Sequence, residues 1–137
     1  MLKIFLASHG RLASGMKNSL DILLGNSEHV TVFDAYLDDS RVQDKLDEFY
    51  QTVSQGDQVL LLSDLYGGSV NQAMCLYLEK PNTMLVAGVN LSLVLELAIR
   101  QDNISESELE ELIEQSRSML RLVKIDLSRN EEESDFF

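Results

Sequence analysis

Apolar residues recur along the chain in two alternating rhythms. The run Leu2-Lys3-Ile4-Phe5-Leu6-Ala7 is short and almost continuously apolar, as in a strand buried on both faces, and it ends in Ser8-His9-Gly10. Leu12, Met16, Leu20, Leu23 and Leu24 follow at helical spacing up to Gly25, a residue suited to the left-handed turn that closes a helix. Val30 to Phe33 predicts a second, shorter strand. Ser40 and Gln43 predict a capping box that opens a helix on Val42, Leu46, Phe49, Tyr50 and Val53, with Gly56 closing it. The run Val59-Leu60-Leu61-Leu62 predicts a central strand, which breaks at Ser63-Asp64-Leu65-Tyr66-Gly67-Gly68. Ser69 and Gln72 predict a second capping box and a helix through Ala73, Cys75, Leu76 and Leu78, stopped by Pro81 before a strand over Thr83 to Ala87. A helix over Leu93 to Ile99 starts from Asn90 or Ser92, and Ser105 with Glu108 opens another carrying Leu109, Leu112, Ile113 and Leu120. Leu122 to Leu127 predicts a final strand.

Strands alternating with helices imply an α/β fold: a doubly wound, mainly parallel sheet of flavodoxin-like order with helices on both faces. Such sheets bind ligands beyond the carboxyl ends of their strands, where neighbouring connections diverge. His9 and Asp64 both fall at that rim, and they meet if the first and third strands are adjacent.

Length and charge narrow the classes. At 137 residues and 45% hydrophobic, the chain is the size of one domain, expected over residues 1–127, followed by an acidic tail over 128–137 that is expected to be disordered. Its 11 basic and 23 acidic residues give 11 − 23 = −12, a charge that repels phosphate backbones and anionic lipid headgroups, so nucleic acid and membrane surfaces are not expected partners. No apolar stretch approaches the roughly 18 residues needed to cross a bilayer, and a cytoplasmic protein without direct membrane insertion is expected. Cys75 is the only cysteine and there are two histidines, so neither an internal disulfide nor a structural zinc site is expected. No cofactor is implied. Cys75 itself reads as a small core residue, and His29 as a solvated one.

The rim carries the candidate chemistry. A neutral imidazole has one basic nitrogen and one N–H, and a carboxylate accepting that N–H fixes the tautomer, aims the free nitrogen outward and stabilises positive charge on the ring. Asp64 is the candidate orienter of His9. The pair suits general-base catalysis or nucleophilic attack by nitrogen, including attack on phosphorus. Gly67-Gly68-Ser69 leads into one capped helix and Gly10 into another, so a phosphoryl group on His9 is expected to face two helix N-termini, the Ser69 hydroxyl and Arg11. Plainer readings exist for each group. A lone histidine at a strand end is more often structural, Asp64 can cap a turn, the glycines can serve a tight connection, Ser69 can be an N-cap alone, and Arg11 can be a surface charge.

The segments Ala7-Ser8-His9-Gly10-Arg11-Leu12-Ala13-Ser14-Gly15, Ser63-Asp64-Leu65-Tyr66-Gly67-Gly68-Ser69-Val70-Asn71 and Ala87-Gly88-Val89-Asn90-Leu91 together resemble the enzyme IIA domain of the mannose-type sugar phosphotransferase system. The resemblance spans nearly the whole chain. It implies a phosphoryl carrier that takes phosphate from HPr onto His9 and passes it to enzyme IIB. Asp64 matches the aspartate that hydrogen-bonds the histidine, and Gly67-Gly68-Ser69 matches the loop around the phosphoryl group. The resemblance further implies an antiparallel terminal edge strand, here Leu122 to Leu127, exchanged in a homodimer, and because the sequence ends shortly after that segment enzyme IIB is expected on a separate chain. Many relatives have proline where this chain has Val70 and Ser92, but neither change removes a reactive group. Three other readings stay open. They are the phosphoryl-donor subunit of a dihydroxyacetone kinase, a receiver domain phosphorylated on Asp64, and a non-catalytic anion-binding module. The receiver reading lacks the acidic cluster that magnesium needs after the first strand, where this chain has Ser8-His9.

Overall fold

A computed structural model describes residues 1–125. In chain order the elements are β1 (Leu2–His9), α1 (Leu12–Leu24), β2 (Val30–Ala35), α2 (Val42–Tyr50), β3 (Gln58–Ser63), α3 (Ser69–Cys75), a 3-10 turn (Leu76–Glu79), β4 (Thr83–Ala87), α4 (Leu91–Ala98) and α5 (Glu106–Arg117). The four strands form one sheet in the order β2-β1-β3-β4, and every pairing is parallel. This is the doubly wound α/β plan expected from the alternation of strand and helix.

The two rhythms of the sequence become two cores. Successive side chains of a strand point to opposite faces. Thus Leu2, Ile4, Leu6, Leu60 and Leu62 pack beneath Ala13 and Leu20 of α1, Leu93, Val94 and Leu97 of α4, and Leu109 and Leu112 of α5. Phe5, Ala7, Val59 and Leu61 pack on the other face against Leu46 and Phe49 of α2 and Val70 and Met74 of α3. Each fully buried leucine contributes about 1.5–3 kcal/mol relative to exposure, so covering both faces is what makes β1 and β3 continuous apolar runs.

Three of the expected element boundaries shift. Ser40 does not cap α2: Arg41 holds the N-cap position with no side-chain bond, while the Ser40 backbone N–H donates to Asp38. That helix ends at Tyr50, because the Thr52 hydroxyl and backbone N–H both turn back onto the Phe49 carbonyl. Val53 and Gly56 therefore lie beyond it, Gly56 in a turn with φ of 93°. Ser69 is likewise not the cap of α3 but its first residue after Gly68, and the Gln72 amide donates to the Gly67 carbonyl at 3.1 Å. The buried row of α3 is Val70, Asn71, Ala73 and Met74, continued by Tyr77; Cys75, Leu76 and Leu78 face outward, so Cys75 is not a core residue.

The remaining signals hold where the chemistry is local. Asn90 caps α4 by accepting from the Leu93 N–H at 2.9 Å, and Ser105 with Glu108 forms the reciprocal capping box of α5. Leu120 lies past the end of α5 and is 89% exposed. The expected terminal strand is not found: Leu122 to Ile125 have no strand structure, and Asp126, Leu127 and the tail lie outside the described residues.

Candidate active site

His9 is the last residue of β1, and Asp64 directly follows the last residue of β3. The two strands are neighbours in register, with Ala7 opposite Ser63. Beyond that point β3 offers no further strand backbone to pair with His9. The Asp64 carboxylate takes its place, accepting the His9 backbone N–H at 2.9 Å through Oδ2. The same carboxylate accepts from the ring: Nδ1 lies 3.0 Å from Oδ2 and 3.2 Å from Oδ1. One side chain thus holds both the backbone and the imidazole. The Asp64 side chain is 8% exposed and that of His9 37%, so the acid is covered while the ring reaches solvent. Burial pushes the Asp64 carboxyl upward, but the His9 backbone N–H, the ring N–H and the charge of the ring outweigh it, and the net direction is below the ordinary carboxylate value. An ionised Asp64 accepts only, so Nδ1 carries the hydrogen, and in the neutral ring Nε2 presents its lone pair outward.

The glycine loop fits around this ring. A Cβ built on Gly68 stands 3.3 Å from His9 Cε1 and 3.3 Å from Leu65 Cβ, closer than ordinary contact. Gly67 and Gly10 have φ of 75° and 63°, left-handed conformations natural to glycine. Gly10 ties its N–H to the Ala35 carbonyl at 2.9 Å, which links the β1 and β2 ends of the rim. The Ser69 hydroxyl reaches His9 Nε2 at 3.3 Å, so this serine stands at the outward nitrogen of the imidazole instead of capping its helix.

The two helix starts differ from expectation. At α1 the Ala13 N–H donates to the buried Ser8 hydroxyl at 2.7 Å and the Ser14 N–H to Asp34 Oδ1 at 3.0 Å. Those donors are already satisfied, and Asp34 adds negative charge there, so α1 is not the second anion-facing terminus expected beyond Gly10. No side chain caps α3, which starts at the same rim. Arg11 is exposed, at the N-cap position of α1, and forms no ion pair among the described residues.

Sequence reasoning missed Tyr36. It follows β2 at the same rim, its ring stacks on His9 with centroids 5.4 Å apart at 28°, and its hydroxyl is hydrogen-bonded to Ser69 Oγ. Its φ is 69°, a left-handed conformation that costs a bulky residue roughly 1–2 kcal/mol. The available signal was positional: residue 36 leaves the C-terminal end of a strand adjacent to β1. Among the described residues no group of three His, Cys, Asp or Glu side chains could hold a metal.

The geometry is that of an exposed, acid-oriented imidazole beside a glycine-serine loop. The sequence model of the family described as "PTS system fructose IIA component", EIIA-man, matches residues 3–116. The chain belongs to the EIIA-man family. The fructose-specific EIIA component of Bacillus subtilis (strain 168) is 21% identical over 112 residues, spanning 80% of this chain and 77% of that relative. The sorbose-specific EIIA component of Lacticaseibacillus casei is 26% identical over 111 residues, 79% of this chain and 80% of that relative. In structure, the mannose/sorbose specific IIA subunit from Enterococcus faecalis superposes with a TM-score of 0.78 at 24% identity, covering 90% of this chain and 96% of that one. That likeness concerns the fold. Membership makes the chain a component of the sugar phosphotransferase system, and EIIA-man proteins take a general part in phosphoryl transfer. Among the described residues no helix is long and apolar enough to cross a membrane.

Proposed function

We propose that this EIIA-man protein is a cytoplasmic phosphoryl carrier, taking the phosphoryl group of phospho-HPr onto His9 Nε2 and delivering it to enzyme IIB. The observation that carries the reading is the single Asp64 carboxylate holding both the backbone N–H of His9 and its Nδ1, which turns Nε2 toward solvent. The lone pair of Nε2 forms the new N–P bond as the P–N bond of the donor breaks, and the electron pair of that bond returns to the donor ring. The neutral His9 ring becomes cationic as the donor ring becomes neutral, and the ionised Asp64 stabilises the charge His9 acquires. Gly68 lets the loop lie against the ring, Gly10 and Gly67 shape the turns beside it, and Ser69 with the exposed Arg11 can contact phosphoryl oxygens. The carrier unit spans residues 1–127 in this reading, and the protein acts as a homodimer.

Intact-mass measurement after incubation with phospho-HPr tests the proposal. The expected result is one added phosphoryl group that is acid-labile and base-stable, absent in His9→Ala, and discharged by purified enzyme IIB. A base-labile phosphate retained by His9→Ala would overturn the assignment of His9. Discharge to a dihydroxyacetone kinase subunit and not to enzyme IIB would overturn the assignment of the acceptor.

A further inference from the structure

Tyr36 stands at the far end of a hydrogen-bonded line whose directions follow by elimination. Ionised Asp64 can only accept, so Nδ1 donates to it at 3.0 Å, and in the neutral ring Nε2 can then only accept. The Ser69 hydroxyl, 3.3 Å from Nε2, must be the donor there. With its single hydrogen so used, Ser69 Oγ can only accept from Tyr36, and the tyrosine hydroxyl is the donor. Every hydrogen in the line points the same way, from Tyr36 through Ser69 and His9 to Asp64, and bonds so arranged polarise one another.

The resting site therefore has a hydroxyl hydrogen lying on the nitrogen that must attack. For an N–P bond to form at Nε2, that hydrogen has to leave the lone pair, and a phosphoryl oxygen arriving on the same nitrogen is a stronger acceptor within reach. A bond from Tyr36 to Oγ holds the serine oxygen in place while its O–H rotates from nitrogen to phosphoryl oxygen. No proton changes owner in this step. We propose that Tyr36 is a positioning residue for phosphoryl transfer, acting through Ser69, and that its ring stacking on His9 and its hydroxyl have separable parts in the site. The proposal rests on the reading of His9 as the phosphoryl acceptor. Its second support is conformational: Tyr36 is 64% exposed and left-handed at φ of 69°, yet its ring lies on His9 and its hydroxyl meets Ser69.

The test is a double-mutant cycle on Tyr36→Phe and Ser69→Ala, read as the single-turnover rate of phosphoryl transfer from phospho-HPr. Tyr36→Phe keeps the stacked ring and removes only the O–H. Transfer is expected to slow about two- to tenfold, the scale of one net hydrogen bond. In the Ser69→Ala background the same substitution is expected to change nothing, because the group it acts through is gone. The ¹⁵N resonance of His9 Nε2 in the unphosphorylated protein is expected to move in both single variants, with Nδ1–H still bonded to Asp64. An undiminished rate in Tyr36→Phe, or the same fold-loss in both backgrounds, overturns the proposal while leaving the carrier reading intact. A wild-type protein that takes no phosphoryl group from phospho-HPr overturns the carrier reading and this proposal together.

Discussion

Replacing Asp64 with asparagine removes a charge while keeping the shape, and the contacts around it set the size of the effect. Oδ2 accepts the His9 backbone N–H at 2.9 Å and Nδ1 at 3.0 Å, while Oδ1 lies 3.2 Å from Nδ1. An asparagine oxygen at the first position leaves an NH₂ group facing Nδ1–H, two donors in contact. Moving the ring hydrogen to Nε2 relieves that clash but removes the lone pair on which the proposed transfer depends, and reversing the amide instead sets the NH₂ group against the His9 backbone N–H, a donor that no tautomer can move. Either way the cationic ring of the proposed phosphorylated state loses its counter-charge. A hydrogen bond to a charged group is worth about 1.5–3 kcal/mol, so single-turnover phosphoryl transfer from phospho-HPr to Asp64→Asn is expected to be about 10- to 150-fold slower. Stability carries a second signature. Because the folded Asp64 pKa lies below its unfolded value, its contribution is complete above the unfolded pKa and is lost as pH falls through the folded one. The urea-measured stability gap between wild type and Asp64→Asn should therefore narrow as the solution is acidified below about pH 4. Transfer by Asp64→Asn within twofold of wild type, with the fold intact, would refute the orienting role.

Two further substitutions separate site from scaffold. Gly68 has φ of −71°, which alanine adopts freely, but an added Cβ would stand 3.3 Å from His9 Cε1. Gly68→Ala should thus leave the urea midpoint nearly unchanged and slow phosphoryl transfer about two- to tenfold, the result of tilting the ring by an off-rotamer displacement worth roughly 0.5–1.5 kcal/mol; unchanged transfer would show that the ring yields without consequence. Gln58 does the reverse. Its buried amide donates to the Ile104 carbonyl and accepts the Ile104 N–H, both at 2.7 Å, far from the rim. Gln58→Ala is expected to cost about 2–4 kcal/mol in urea denaturation with phosphoryl transfer unaffected under folding conditions, and a loss below 1 kcal/mol would show that water replaces the amide.

The parts of the fold that could be read from the sequence are those set by burial or by contacts within a few residues. Val59-Leu60-Leu61-Leu62 is apolar at every position because both sheet faces are covered, and Gly25 closes α1 at φ of 88°, as a helix-ending glycine should. The capping boxes show the limit. The same Ser-x-x-Glu/Gln spacing yields a real box at Ser105, an uncapped helix start at Ser40 and a reactive-site serine at Ser69. Spacing permits the bond, but each serine goes to the strongest partner within reach. At position 105 that partner is local, whereas at 69 the hydroxyl is shared between the imidazole and the tyrosine that follows β2. The face of α3 differs because Val70, Ala73, Met74 and Tyr77 form the unbroken helical row that is buried, and Cys75, Leu76 and Leu78 lie off it.

The site divides along the same line. His9 and Asp64 were legible because the topology rule needs only that two strand ends be neighbours, and apolar runs identify strand ends well. Ser8, Asp34 and Tyr36 were not, since their roles depend on side-chain direction across the rim. Ser8 and Asp34 take the α1 donors that the sequence reading had left for an anion, so the terminus remaining beside the imidazole is that of α3, reached through Gly67-Gly68-Ser69. This bears on how phosphate would leave as well as arrive. Under the proposed function, an N–P bond flanked by two open helix starts would be stabilised in place. With Asp34 closing one side and only the short α3 start and a hydroxyl on the other, a phosphoryl group on His9 would be held loosely enough to be taken by a second protein, as the proposed carrier role requires.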